Sequence, residues 1–584
     1  MFPSGLDRKV VEQGGCDRFH TLREITMMKM INTVTEQDDW HLKISDAKWV
    51  HRCKLDLKRR VKDVTSPMLK WVLDECRWRA FLFRQSGSTS TLVFDAFVKS
   101  DNQISIELSE RLKELVKTLE EKFGRQESST SQLIVDPSRY PLAYGRTRVL
   151  LDNIINIDNC LISIGKGTPI FLHEANRTAT SSEDHLQTAP TSPGPPPPEY
   201  DRWGHRIESK PYSWCDENFQ LLPCDLSLQN GLWCITSYIN DLHPVQHRQL
   251  YTTLEEIINQ CVQPWNECLA QWSVRWNRVP LSRVVFTPRL RNLVVPEGLY
   301  DDRVLDWIDC KVDQWRERRS IKFPEPGEFD SSKIPKPKHN LVEKFGHSGM
   351  QVLVQLGAVL LEPPKTSGPE RRVLNRGQWH LQGHLNEHIC ATAVYCYGLD
   401  NVVSHYFEFR QRSDEGKKVL DSHGYEHHQI WADVCREVFG YQMNGDDLTV
   451  FQRLGHISVG AGRLVAFPNT LEIRSVYLLR DESKPGHCHI LTLCLVDPHM
   501  RIISTANVPP QQPKWWAPRK QLIHVLLRSK LPQELVDMVL QNLRDLADGP
   551  MSPEEHKSVM DDFLKSRRKL ESNQKKELRA SKTT

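Results

Sequence analysis

Two stretches decide the fold: Trp379-His380-Leu381-Gln382-Gly383, and further along Gly462-Arg463-Leu464-Val465-Ala466-Phe467-Pro468. The second reads as a turn entering a strand. Its surroundings repeat the pattern. From Met350 the apolar residues take the period of strands: Val352-Leu353-Val354, Ala358-Val359-Leu360-Leu361, Cys390 to Tyr397 and Tyr406-Phe407-Glu408-Phe409. Leu464 to Phe467, Ile490 to Val496 and Ile502 to Thr505 continue the series. Short strands separated by loops predict a double-layered β-barrel rather than a parallel α/β sheet.

His380 gives the barrel a chemical question. An iron(II) site of the two-histidine, one-carboxylate type needs three ligands on one face of the metal. A His-x-Asp/Glu pair on a strand supplies two, because residues i and i+2 point the same way. A later strand supplies the second His. Beyond it, an Arg or Lys forks onto the remote carboxylate of 2-oxoglutarate. Here Gln382 stands at the carboxylate position, and Asn469-Thr470-Leu471-Glu472-Ile473-Arg474 contains no His. Pro485-Gly486-His487-Cys488-His489-Ile490 leads the next apolar strand.

Upstream, helical signals dominate. Thr21-Leu22-Arg23-Glu24 is a capping box ahead of the run Ile25 to Ile31. Leu108, Leu112, Leu115, Val116, Leu119 and Phe123 form a stripe at helical spacing that stops at Gly124. Thr168 to Tyr200 is rich in Ser, Thr and Pro and reads as a linker. Thr252 to Trp272 predicts a second strong helix, with Thr252 and Glu255 as a further box, and Val304 to Arg318 a third. Helices return from Gln521, with Pro532 at a helix start. The last residues are polar and basic and read as a solvated tail.

The chain has 584 residues, 77 basic against 74 acidic, and a net charge of +3. That balance carries no nucleic-acid signal. Mean hydropathy is −0.50, and no apolar run is long enough for a membrane span. The N-terminus lacks the apolar core of a signal peptide. Fifteen scattered cysteines without a CxxC pair fit reduced thiols, hence a cytoplasmic or nuclear compartment.

Longer strings carry a family resemblance. Tyr140-Pro141-Leu142-Ala143-Tyr144-Gly145-Arg146-Thr147-Arg148, Leu222-Pro223-Cys224-Asp225 and Thr236-Ser237-Tyr238-Ile239-Asn240-Asp241-Leu242-His243-Pro244 are three of them. Asn386-Glu387-His388-Ile389-Cys390-Ala391-Thr392-Ala393, Leu495-Val496-Asp497-Pro498 and Ser504 to Gln511 are the others. With these the chain resembles, over nearly its whole length, the mainly fungal family called domain of unknown function 4246. That family's barrel is in turn similar to cupin-like Fe(II)/2-oxoglutarate oxygenases. The resemblance implies an α+β fold: a helical N-terminal region plus a double-stranded β-helix (cupin or jelly-roll-like) barrel with surrounding helices. It implies a mainly helical domain over 1–167, the linker over 168–210, a main domain over 211–545 with barrel strands mostly within 350–510, and a polar basic tail over 546–584.

The family pattern is Trp-His-x-Glu-Gly, Phe-Pro-Asn-x-Leu-Gln-His-Arg and Pro-Gly-His-Arg-Lys-Ile-Leu. His380 keeps its place in it. Gln382 stands for the carboxylate, Ile473 for the second His and Cys488 for the Arg. An amide, a hydrocarbon and a thiol cannot take over those roles. The expectation is therefore a catalytically degenerate barrel acting as a binding or scaffold protein. The alternative is an active dioxygenase using Fe(II) and 2-oxoglutarate with rearranged ligands. In it His380 binds metal, Gln382 is a weak or outer-shell partner, and Glu472 and His489 compensate. Glu472 should point away from the face of residue 473 unless a bulge intervenes.

A remote alternative is a zinc hydrolase using His384, Glu387 and His388, which match an HxxEH string. That motif needs a helix, whereas the string runs into a strand-like segment. Gly165-Lys166-Gly167-Thr168 lacks phosphate-loop spacing and reads as a turn. Trp515-Trp516 fits packing against the barrel better than stacking on a base or sugar. His427-His428 fits a polar loop. Partners, substrate and oligomeric state are not legible.

Overall fold

A computed structural model describes residues 1–6, 20–86, 90–123, 131–171, 215–270, 302–363, 375–413, 450–515 and 552–580, apart from 152, 324 and 335–339, with a few shorter pieces between. His427-His428, Trp516 and most of the expected 168–210 linker lie outside the described residues.

Helix α1 (Leu22–Thr35) starts at the expected box. Thr21 Oγ1 accepts from the Glu24 N–H at 3.1 Å, and Glu24 Oε2 accepts from the Thr21 N–H at 3.0 Å. α1 buries two faces. Met27, Met30 and Ile31 pack with α2 (Ala47–Arg60) and α3 (Ser66–Ser86), while Ile25 and Met28 face the barrel. The same N-terminal stretch also supplies strands: β1 (Ser90–Val93), β2 (Phe97–Ser100) and, after α4 (Ile106–Phe123), β3 (Ser131–Val135).

β4 (Cys224–Gln229) and β5 (Leu232–Ile235) form a hairpin ahead of α5 (Arg248–Ala270). α5 begins before the expected box. Thr252 Oγ1 donates back to the Arg248 carbonyl, and Glu255 accepts from the Ile235 N–H at 2.7 Å. Both side chains are thus committed elsewhere, and Thr252 is helix interior. α6 (Asp302–Arg318) follows as expected.

Eight strands come next: β6 (Met350–Leu361), β7 (Asn375–Arg376), β8 (Ile389–Asp400), β9 (Val402–Ser413), β10 (Val450–Ser458), β11 (Leu464–Pro468), β12 (Leu471–Leu479) and β13 (Gly486–Val496). The large sheet runs β1-β2-β11-β8-β13-β6-β4-β5, with β3 also on β6. The small sheet runs β7-β12-β9-β10. Every pairing in both is antiparallel. The two apolar runs expected as separate strands near 352 and 358 are one strand, β6. A Cβ on its Gly357 would lie 2.3 Å from the Gln132 carbonyl, so β3 can approach there only because 357 is glycine.

Alternation gives the large sheet two buried faces. Ala393, Tyr395, Leu491, Leu493 and Leu495 pack against α4 and α5. Val394, Cys396, Val465, Phe467 and Cys488 face the small sheet and meet its Phe407, Phe409, Ile457, Ile473 and Tyr477. Each such side chain contributes roughly 1.5–3 kcal/mol by burial. This apolar layer lies between the two sheets.

Two expectations fail here. Ile502 to Thr505 is not a strand. The Gln351 amide takes the place of a ladder partner, accepting from the Ile502 N–H at 3.0 Å and donating to the Ile502 carbonyl at 2.9 Å. The C-terminal residues are not a solvated tail: Pro553–Ala580 is helix α7, docked through buried Val559 and Phe563. Its composition is polar because ion pairs fix it. Arg567 pairs with buried Glu387, and Arg146 with Asp562 at 3.0 Å. Among the described residues, no helix is long and apolar enough to cross a membrane.

Candidate functional site

His380 follows β7 and joins β12 through one antiparallel bridge to Ile473. Each backbone N–H donates to the other's carbonyl at 3.0 Å. Opposed residues in such a pair share a face, so His380 takes the side that faces the other sheet, at its exposed edge. Its Nδ1 lies 3.0 Å from the Gln378 carbonyl. That contact selects the Nδ1–H tautomer and leaves Nε2 as a lone pair, as in a metal-binding imidazole. Ile473 is 2 % exposed and belongs to the barrel core.

The other expected residues do not converge on His380. Gln382 is held by its main chain: its N–H donates to Asn469 Oδ1 and its carbonyl accepts from Asn469 Nδ2, both at 2.9 Å. Glu472 is directly opposite Arg410 across β9 and accepts from its Nε at 2.8 Å and Nη2 at 2.6 Å. Arg410 is layered between Trp379 and Phe451 at 4.7 and 3.9 Å from the ring centroids. Glu472 is thus spent on the sheet's outer face, while Ile473 takes the inner one. His489 sits on β13 beside Glu120 of α4, Nδ1 to Oε1 3.8 Å. It faces the helices, and burial holds its pKa below the ordinary histidine value.

His384, Glu387 and His388 do not share a helix face. Leu385–Glu387 is one 3₁₀ turn, and His388 is left-handed at φ 48°. The Glu387 carboxylate accepts from the His384 N–H at 2.8 Å and pairs with Arg567. Burial is the largest influence and would raise its pKa, but Arg567, His384 and the His384 N–H together outweigh it and hold the group below its ordinary value. His384 is pushed down to about 4, by burial first and then by Arg567. Gly383, at φ 68°, makes the tight entry; a Cβ there would lie 2.5 Å from Glu387 Oε2. The 380–388 loop is also packed from the N-terminus: Leu6 clusters with Leu381 and Leu385, and the Gly5 N–H donates to the Asn469 carbonyl.

Cys488 lies in the apolar layer between the two sheets. Its Sγ is 3.5 Å from His405 Nδ1, a neighbour that the sequence reading did not single out. The only available signal was period-two alternation, which puts His405 on the face of Phe407 and Phe409. Among the described residues, no group of three or more His, Cys, Asp or Glu could hold a metal ion.

The family described as "Protein of unknown function (DUF4246)" matches residues 66–519, and "Domain of unknown function DUF4246, N-terminal" matches residues 1–54. The chain belongs to the DUF4246 family. No curated protein matches it. Within this DUF4246 chain the two matched segments meet: Phe2 of the first donates its N–H to Asp497 Oδ2 of the second at 2.8 Å. The Trp515 ring packs edge-on against Tyr238, with centroids 5.9 Å apart, rather than standing free for stacking.

Proposed function

We propose that this chain is a binding or scaffold protein built on a 2-oxoglutarate-oxygenase-like barrel that no longer supports iron chemistry. The strand order supports the barrel reading. Counted one to eight from β6 to β13, the large sheet contains 1-8-3-6 and the small sheet is 2-7-4-5. This order is similar to that of a double-stranded β-helix, with consecutive strands mostly alternating between sheets, and supports that reading.

One observation carries the functional reading: the residue bridged to His380 is Ile473. His380 alone keeps a ligand's tautomer. The residues around it do not fit Fe(II), which needs two more donors on one face. A buried hydrocarbon offers none, Gln382 offers no charge, and Glu472 is bound by Arg410 on the other side of its sheet. No metal-dependent step is derived for this chain.

The test is iron analysis of the full chain after anaerobic loading, with succinate release from 2-oxoglutarate followed in parallel. The expected result is iron well below one equivalent and no succinate. The paired substitution Gln382→Glu with Ile473→His is expected to raise iron affinity on the order of 100-fold. Stoichiometric iron with succinate release in the unaltered chain would overturn the proposal.

A further inference from the structure

Just past β13, three polar side chains stand in line. Asp497 directly follows the strand and is buried. Its Oδ2 accepts from the Phe2 N–H at 2.8 Å. Its Oδ1 accepts from the backbone N–H of His499 at 3.0 Å and lies 2.7 Å from that residue's ring Nδ1. The other ring nitrogen, Nε2, lies 2.8 Å from Lys344 Nζ. Lys344 stands exposed on the short helix Leu341–Phe345. The His499 ring is held edge-on between Phe2 and Phe345, with centroids 5.1 and 4.8 Å away.

The two contacts fix the protons of the ring. A carboxylate only accepts, so Nδ1 carries the hydrogen. An ammonium only donates, so Nε2 offers a lone pair. A base oriented by a buried third group, with its free nitrogen on an amine, is the arrangement that activates a nucleophile. A salt bridge does not account for it, because a neutral ring stands between Lys344 and the Asp497 charge. Support of the turn does not account for it either. Asp497 already holds the main chain through the Phe2 and His499 N–H groups, and neither contact needs an imidazole. Phe345 adds an apolar ring 5.3 Å from the amine, a surface suited to the carbons of an acyl group.

We propose that Lys344 is an acyl-acceptor site that takes an acyl group from a thioester, with His499 as the base and Asp497 positioning it. The ammonium gives one proton to His499 Nε2, and the Asp497 carboxylate stabilises the imidazolium. Lys344 Nζ then attacks the thioester carbonyl carbon. The C–N bond forms, and the C–S bond breaks with its electron pair going to sulfur. The thiolate takes the proton from His499 and leaves as a thiol. His499 removes the second nitrogen proton and passes it to water. One ammonium and one thioester become one amide, one thiol and one proton, and nothing is oxidised or reduced. This inference goes beyond the reading of the His380 end and does not require it.

The experiment incubates the folded full chain with acetyl-coenzyme A and follows acetylation lysine by lysine, by peptide mass spectrometry. Lys58, exposed on α2, is the internal reference for an unassisted amine. Lys344 is expected to be acetylated on the order of 100-fold faster than Lys58. Unfolding the wild-type chain in urea is expected to abolish that difference, a control that no variant's fold can disturb. His499→Asn is expected to bring Lys344 down to the Lys58 rate. Asp497→Asn, which no longer selects the Nδ1–H tautomer, is expected to slow Lys344 with His499 still present, and Asp497→Glu to recover part of the rate. A folded wild-type chain whose Lys344 is acetylated no faster than Lys58 would overturn the proposal. So would a wild-type rate at Lys344 in His499→Asn.

Discussion

Strand β12 passes two histidines in contrasting settings. At Ile473 it meets His380, which stands at the rim with its ring held by a main-chain carbonyl. At Tyr477 it meets His405, enclosed beside the Cys488 thiol with one idle ring nitrogen. The rim histidine can forgo further polar partners at little expense, because water can serve it. The enclosed one has no such relief. Burial thus decides which absences matter. A missing partner costs little at the rim and much more inside.

The harshest way to break the contrast is Glu472→Ala. If Glu472 only neutralises Arg410 on the outer face, its removal strands a buried guanidinium and lowers stability by about 3–5 kcal/mol, read by urea unfolding. Iron content is expected not to change. A variant that keeps its stability and loses metal would make Glu472 a rim ligand and erase the distinction.

Acid sharpens it. Burial holds His405 down at about 3 and, together with Arg567, holds His384 at about 4. Both stay neutral in the folded chain at pH values where the unfolded chain already gains their protons, near 6.5. The stability they allow is complete above pH 6.5. It falls as pH drops through about 4 for His384 and towards about 3 for His405, by a few kcal/mol each. His405→Leu is expected to flatten its share of that slope. An unchanged slope would mean that residue 405 is not enclosed.

The smallest expected effect is at His489. Its contact with Glu120 is half-exposed, so His489→Ala should cost less than about 1 kcal/mol and leave the acid slope as it was. A larger loss in thermal unfolding would show that this pair, and not the buried layer, dominates the sheet's stability.

The barrel strands were legible because alternating apolar residues announce a half-buried surface, and α1 and α4 because their cap and stripe agree with one another. Ile502 to Thr505 misled, since an apolar run says nothing about a Gln351 side chain that replaces the ladder. Helix α7 was illegible for the opposite reason: it buries little beyond Val559 and Phe563 and docks by charge. At the His380 end the sequence names the residue types, but that Ile473 is the residue bridged to His380 comes from the pairing of the strands. The His405–Cys488 contact joins positions 83 apart, and no local pattern encodes a meeting across strands.

The Arg567–Glu387 pair separates its members by 180 residues. At about 5–20 residues per second, a ribosome finishes the strands around Glu387 on the order of ten seconds or more before it adds the counter-charge. During translation the newborn rim therefore carries an uncompensated carboxylate and stays open to water.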